Sequence, residues 1–201
     1  VLILQAGGAF IDESGSVVID SERTAFVLAS IVSWCVGPDA LATEVPEFTA
    51  AGKSMKLRGR AVASFFPDWM CNVWRNELPQ LSGKMKLMPL PAWERGGRRT
   101  SVWGGTMLGI SRASVRSAER AGDGAKFDRL WSLSKALYFS PEMARTLYTE
   151  GDIVSPVVSN WSDPIYDRPD QYFGGQAKGR VYIGLIPQVP LRNSSAFNTM
   201  A

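Results

Sequence analysis

The chain has 201 residues, of which 45% are hydrophobic and 20% are charged, a composition typical of a protein that folds around an apolar core. Its net charge of +3 is too small to indicate a nucleic-acid-binding surface. Histidine is absent, which excludes Ser-His-Asp and Cys-His catalysis and removes a common metal ligand, so neither metal nor cofactor is expected.

Local signals predict three helices in the first third of the chain. Ser21 can cap a helix over residues 22–36, in which apolar side chains occupy most of the circumference. That pattern predicts a helix buried on more than one side. A second helix is expected within residues 48–57, and a third over residues 69–78, where Pro79 stops it.

Three segments of strand type lie among and after these helices. Residues 59–66 form a short apolar run that ends at Pro67, and residues 84–88 and 101–111 are the other two. Two further helices are predicted over residues 126–138 and 141–149, and residues 174–185 are expected to be helical. Strands and helices together predict an α/β fold.

The two cysteines, Cys35 and Cys71, match no zinc or redox spacing. Both lie in apolar stretches, which predicts buried free thiols. No run of about 18 apolar residues predicts a membrane-spanning helix.

The turn after residue 66 carries the first candidate site. A strand that stops at a proline leaves the next residues at the edge of a sheet, so Asp68 and Trp69 become accessible to a ligand. An indole offers a flat face to the C–H surface of a sugar ring, and a carboxylate accepts hydrogen bonds from hydroxyl groups. Two other interpretations stay open: Trp69 can be a core indole, and Asp68 an ordinary turn or cap residue.

A second candidate lies at Trp103, Gly104 and Gly105. Trp103 can provide another stacking platform, and the two glycines can bring backbone N–H groups close to a hydroxyl. The alternative is a strand bulge beside a buried indole. We predict packing roles for the remaining tryptophans, which are Trp34, Trp74, Trp93, Trp131 and Trp161.

The order of several segments resembles the extracellular solute-binding proteins of bacterial sugar ABC transporters, the family related to maltose-binding protein. The segments are Gly7-Gly8 with the acidic turn at residues 11–15, the helix start at 20–22, GRAVASFFPDW at 59–69, MKLMPLP at 85–91, WGGTMLGI at 103–110 and YFGGQ at 172–176. The last segment is similar to the branch that binds arabinose-, lactose- or related oligosaccharides. The match corresponds to the C-terminal half of a family member.

The resemblance implies a periplasmic-binding-protein-like fold of two α/β lobes joined by a hinge, here as a C-terminal fragment without a signal peptide. Residues 1–103 would belong mostly to the C-terminal lobe and residues 104–152 to the N-terminal lobe. Residues 153–201 would return to the C-terminal lobe. The protein would be a non-catalytic sugar-binding subunit, periplasmic or extracellular and membrane-associated. It would close on a carbohydrate and deliver it to the permease subunits of an ABC importer.

Two other functions remain open. A carbohydrate-active enzyme would need two carboxylates about 5–9.5 Å apart, for which Asp68 could pair with Glu77, Asp163 or Asp170. A truncated domain that has lost ligand binding is the other alternative.

Overall fold

A computed structural model describes residues 1–38, 40–43, 45–105 and 108–190 of the chain. Within these ranges the regular structure consists of α-helices and short 3-10 turns. The helices are α1 Leu2–Gln5, α2 Glu22–Cys35, α3 Ala50–Leu57, α4 Met70–Glu77, α5 Arg112–Arg120, α6 Lys126–Phe139, α7 Pro141–Gly151 and α8 Lys178–Leu185. The 3-10 turns are Pro79–Leu81, Val158–Ser162, Pro164–Asp167, Gln171–Phe173 and Ile186–Gln188.

The helices with clear start signals lie where the sequence predicts them. The Ser21 hydroxyl accepts a hydrogen bond from the Thr24 N–H at the start of α2. Ser140 does the same for Met143 at the start of α7, where Pro141 occupies the first helical position. The sequence did not predict α1 and α5. The helix expected over residues 174–185 begins only at Lys178, so residues 174–177 lie outside α8.

The predicted strands are not formed, so the α/β class is not confirmed. The pairings among the described residues outside helices are two isolated bridges, Ile11 with Val17 and Asp170 with Gln176. Residues 61–67 and 84–92 carry no helix or strand assignment, and neither do the described parts of 101–111; residues 106 and 107 lie outside the described ranges. A ladder needs a continuous backbone partner. Among the described residues these segments make isolated contacts instead, such as the Leu90 N–H with the Arg99 carbonyl at 2.9 Å.

The largest buried cluster surrounds α4. Met70, Cys71 and Trp74 from α4 are inaccessible to solvent, and so is Phe173. Leu78, Leu87 and Tyr172 complete the cluster. The Tyr172 hydroxyl lies 2.9 Å from the carbonyl oxygens of both Trp74 and Leu78. The single O–H of Tyr172 thus adds a donor at the C-terminal end of α4, where the Trp74 carbonyl also accepts the Leu78 N–H at 2.8 Å.

A second cluster joins α7 to α8 through the Pro164–Asp167 turn. Tyr148 and Tyr166 meet edge to face with their ring centroids 4.7 Å apart. A Cβ at Gly179 would lie 2.8 Å from the Tyr148 hydroxyl and from the Tyr166 backbone, so only glycine fits there. The absence of a side chain at residue 179 thus allows α8 to pack closely against Tyr148 and Tyr166.

The helices α2 and α6 expose most of their apolar side chains. Burial of α2 on several sides was a wrong prediction, because only Thr24 and Val27 are buried in it. In α6 no residue is buried, and Trp131, predicted to pack in the core, is 47% exposed. Cys35 is also exposed, whereas Cys71 is buried as predicted. Within the described ranges, no helix is long and apolar enough to span a bilayer.

Candidate functional site

The turn that precedes α4 holds Asp68 and Trp69 in defined positions. One carboxylate oxygen of Asp68 accepts the Trp69 N–H at 2.9 Å, and the other accepts the Val154 N–H at 2.8 Å. The carboxylate thereby connects the start of α4 to the chain that follows α7. Trp69 itself remains 40% exposed. These hydrogen bonds agree with the interpretation of Asp68 as a turn residue. The indole of Trp69, beside it, is accessible to solvent.

Asp68 also borders a cavity of about 780 Å³. The cavity walls come from the unpaired segments at 61–68, 84–88 and 99–103, together with residues 154–156 and α8. Trp103 lines it as well, but Trp69, Gly104 and Gly105 do not. The structure thus brings two of the five candidate residues, Asp68 and Trp103, around one cavity.

The second candidate region is open to solvent. Trp103 is 46% exposed, so the buried-indole alternative does not describe it. Gly104 and Gly105 have φ angles of 74° and 153°, which L side chains rarely adopt, and no atom of the described residues is recorded within 4 Å of a Cβ built on either. Backbone conformation is therefore what the described part of the chain offers as the reason for both glycines.

The polar groups of the cavity are largely paired. Lys56 forms an ion pair of 2.7 Å with Glu47 and a hydrogen bond with Ser64. The Tyr182 hydroxyl lies 3.5 Å from the Cys71 sulfur. Burial raises the pKa of Cys71 to about 12, so the thiol is protonated and unreactive at neutral pH. Burial also raises the pKa of Asp68, which the hydrogen bonds from Val154 and Trp69 oppose.

A charge cluster that is buried except for Arg75, whose side chain is 39% exposed, includes residues of α4 and α8. Arg75 binds Asp170 through two hydrogen bonds of 3.1 and 2.7 Å and reaches Asp152 at 3.2 Å. Lys178, whose side chain is 4% exposed, pairs with Asp152 and lies 3.3 Å from Asp170. Its ammonium group also stands 4.8 Å from the centre of the Tyr148 ring. Two cations and two anions thus connect α4, α7 and α8.

Sequence reasoning missed this cluster, because Arg75 and Asp170 are 95 residues apart and neither belongs to a motif. Burial is the largest single influence on Asp170 and disfavours its charged form, but the hydrogen bonds and charge of Arg75, the charge of Lys178 and the Tyr172 N–H together outweigh burial and lower the pKa of Asp170. The same hydrogen bonds raise the pKa of Arg75. Asp170 and Arg75 are therefore both charged at neutral pH.

The carboxylates proposed for an enzyme have cationic partners. Glu77 pairs with Lys53 at 2.9 Å, Asp163 binds Arg145, and Asp170 binds Arg75. None of the three lines the cavity that Asp68 borders. Across the described ranges, no group of three or more Cys, Asp or Glu residues is arranged to hold a metal ion. Among the described residues that line the cavity, Asp68 therefore has no second carboxylate beside it.

Two bacterial proteins are similar to this chain in sequence. The arabinooligosaccharide-binding protein of Halalkalibacterium halodurans is 24% identical over 179 residues, which are 86% of this chain. The chain is thus similar in sequence to a protein named for binding arabino-oligosaccharides. The arabinooligosaccharide-binding protein of Bacillus subtilis supports this relationship with 35% identity over 57 residues, or 28% of this chain. The resemblance predicted from the sequence is thereby confirmed.

The relatives are much longer than the aligned part. The match covers 37% of the Halalkalibacterium halodurans protein and 13% of the Bacillus subtilis protein. No family model and no solved structure matches the chain. Both relatives are named as binding proteins, and neither name denotes an enzyme.

Proposed function

We propose that this chain is part of a sugar-binding protein that captures an oligosaccharide without transforming it. The observation that carries the proposal is the Trp69 indole, which is 40% exposed although its backbone is fixed at the start of the most deeply buried helix. A large apolar face exposed on a fixed turn provides a stacking platform for a sugar ring. The names of both relatives agree with this ligand class.

In this proposal Trp69 stacks on a sugar ring and Trp103 provides a second platform. Asp68 acts mainly by holding the turn, since both of its oxygens already accept backbone N–H groups. Each oxygen retains a second lone pair that can accept a sugar hydroxyl. Gly104 and Gly105 remain candidates for backbone contacts, because their surroundings leave room for a ligand.

The wider setting follows from the relatives and is part of the same proposal. The chain would contribute to an interlobe cleft of a periplasmic or extracellular solute-binding protein, whose closure presents the sugar to the permease subunits of an ABC importer. The lobe division at residues 103 and 152 stays a prediction. Residues 191–201 of its last part lie outside the described ranges.

Tryptophan fluorescence tests the site. The chain is titrated with arabino-oligosaccharides and with a panel of other neutral oligosaccharides, and the titration is repeated with Trp69→Ala. Trp131→Ala is the matched control, because Trp131 is exposed to a similar extent on a helix far along the chain. We expect a saturable change that Trp69→Ala weakens at least tenfold and Trp131→Ala leaves intact.

Two results would contradict the proposal. Equal loss of binding in both variants would show that the response does not come from the Trp69 turn. Release of shorter sugars during a long incubation with the oligosaccharide, measured by chromatography, would favour the enzyme alternative.

A further inference from the structure

The cavity that Asp68 borders is lined by more positive than negative side chains. Its cationic side chains are Lys56, Lys84, Lys86 and Arg99, and among the described residues its carboxylate is that of Asp68. The whole chain has 22 Lys and Arg and 19 Asp and Glu. Taking four from 22 and one from 19 leaves 18 of each sign elsewhere, so the cavity lining accounts for the net charge of +3. A charge excess concentrated in one cavity attracts anions into it.

One of the four cationic side chains already has an acidic partner. Lys56 pairs with Glu47 at 2.7 Å, and the Lys56 side chain is 8% exposed. We call the other three, Lys84, Lys86 and Arg99, the cavity cations. All three are exposed, and no carboxylate of a described residue forms an ion pair with any of them. Their charges are therefore available to a ligand.

Neutral carbonyl groups orient two of the cavity cations. The Arg99 Nε donates to the Leu90 carbonyl at 3.1 Å, and its Nη2 reaches the Pro89 carbonyl at 3.5 Å, while its Nη1 donates to no described residue. The Lys86 ammonium donates to the Gly174 carbonyl at 3.3 Å. These hydrogen bonds hold the two side chains in place but leave their charges uncompensated, because a carbonyl group carries no net charge.

A cavity of this kind binds a carboxylate better than it binds a neutral hydroxyl. A guanidinium group can donate two parallel, charge-assisted hydrogen bonds to a carboxylate, and these are stronger than bonds between neutral groups. Cations that share one cavity also repel each other, and a bound anion relieves that repulsion. The volume of about 780 Å³ lies within the range of about 300–1,000 Å³ that is usual for small-ligand pockets.

We propose that the oligosaccharide bound here carries a carboxylate, in the form of a uronic acid unit, which the cavity cations bind. This inference rests on the proposed sugar-binding function and names its ligand more closely. Trp103 lines the same cavity and lies four residues after Arg99, so a stacking platform and the charged group belong to one site. An arabino-oligosaccharide with a uronic acid unit stays within the ligand class in the relatives' names and adds the charge.

A pair of matched ligands tests the charge preference. The first is an arabino-oligosaccharide that carries one uronic acid unit, and the second is the same compound after its carboxylate has been reduced to a primary alcohol. Tryptophan fluorescence measures the affinity of the chain for each. We expect the acidic ligand to bind at least tenfold more tightly at low ionic strength. The preference should shrink at about 0.5 M salt, because dissolved ions screen the cavity cations.

Single substitutions locate the preference. Arg99→Gln and Lys84→Gln each remove one positive charge, and each should lower the ratio between the two affinities at least threefold. The Lys84 ammonium donates to no described residue, so Lys84→Gln removes charge without removing a contact in the fold. Arg112→Gln is the matched control, since Arg112 is exposed on α5 and does not line the cavity. It should leave the ratio unchanged, and thermal melts check that every variant is folded.

The outcomes separate this inference from the function on which it rests. Equal affinities for the acidic and the reduced ligand would overturn the uronic acid assignment and leave the capture of neutral sugars standing. An unchanged ratio in both Arg99→Gln and Lys84→Gln would overturn the role of the cavity cations. Tighter binding of a sulfated oligosaccharide of the same length would show that the cavity does not select a carboxylate. If neither ligand binds, the proposed function fails together with this inference.

Discussion

The surroundings of α4 and those of α6 contain similar side chains in opposite environments. Trp74 and Phe173 are fully buried near α4, whereas Trp131 and Phe127 on α6 are 47% and 46% exposed. Around α4, residues from three distant parts of the chain converge, and the charge cluster joins α4 to α7 and α8. Helical periodicity predicts both helices equally well, but burial depends on which other segments are present to cover each face.

The largest effect should come from removing buried aromatic volume. Phe173→Ala leaves a cavity among Met70, Cys71 and Tyr172, and we expect a loss of about 3–5 kcal/mol in the free energy of unfolding. Phe127→Ala on α6 should cost less than about 1 kcal/mol, because its side chain is already half exposed. Urea denaturation of both variants measures the contrast. Equal losses would mean that α6 is covered in solution.

The charge cluster should give the next largest effect. Lys178→Met removes the cation paired with Asp152 and leaves that carboxylate buried with Arg75 alone, which should cost about 3 kcal/mol. Lys84→Met, at an exposed lysine on the cavity wall, is the control and should change stability within about 0.5 kcal/mol. Denaturant unfolding at pH 7 measures both. A neutral Lys178→Met would show that the cluster does not stabilise the fold.

The pH dependence of stability distinguishes the role of Arg75. The pKa of Asp170 lies below its usual value of 3.8, so its stabilising contribution is complete above that pH and is lost as pH falls through the lower folded pKa. Arg75→Gln removes the main cause of the lowered pKa, and the fall in stability below pH 4 should become shallower. Arg116→Gln, on the exposed face of α5, should leave the acid profile unchanged. Thermal melts between pH 2 and 7 make the comparison.

The smallest effect is expected at a helix cap. Ser140→Ala removes the oxygen that accepts the Met143 N–H and should lower stability by about 1 kcal/mol. Ser140→Asp keeps an acceptor at that position and should retain most of the stability. A loss in Ser140→Asp as large as in Ser140→Ala would show that the cap oxygen is not what stabilises α7.

Local features of the fold could be predicted from the sequence because their causes lie within a few residues. Ser21 starts α2 and Ser140 starts α7 through bonds to backbone groups three positions away. Sheet pairing differs, because a strand-like segment such as residues 62–66 forms a strand only when another segment supplies its hydrogen bonds. The described parts of the predicted strands therefore carry no strand assignment here.

The candidate site, like the fold, could be predicted only where its causes are local in sequence. Trp69 is exposed after Pro67 as expected, although the strand and sheet edge on which that expectation depended are not formed. Asp68 both accepts the Val154 N–H and borders the cavity. No local pattern could predict this contact, because the two residues are 86 positions apart. The sequence could not predict the cluster of Arg75 with Asp152, Asp170 and Lys178 either, because Arg75 is 77 and 95 residues from its two acidic partners.

The Tyr172 hydroxyl that closes α4 has a consequence for biosynthesis. Its acceptors, the carbonyls of Trp74 and Leu78, are 98 and 94 residues earlier in the chain. A nascent chain that has just released α4 from the ribosome cannot complete this end of the helix until nearly a hundred more residues have been translated. At typical synthesis rates of about 5–20 residues per second, the apolar side chains of α4 stay uncovered for about 5–20 s, until Tyr172 and Phe173 have been synthesised. During that interval α4 is a natural target for chaperones.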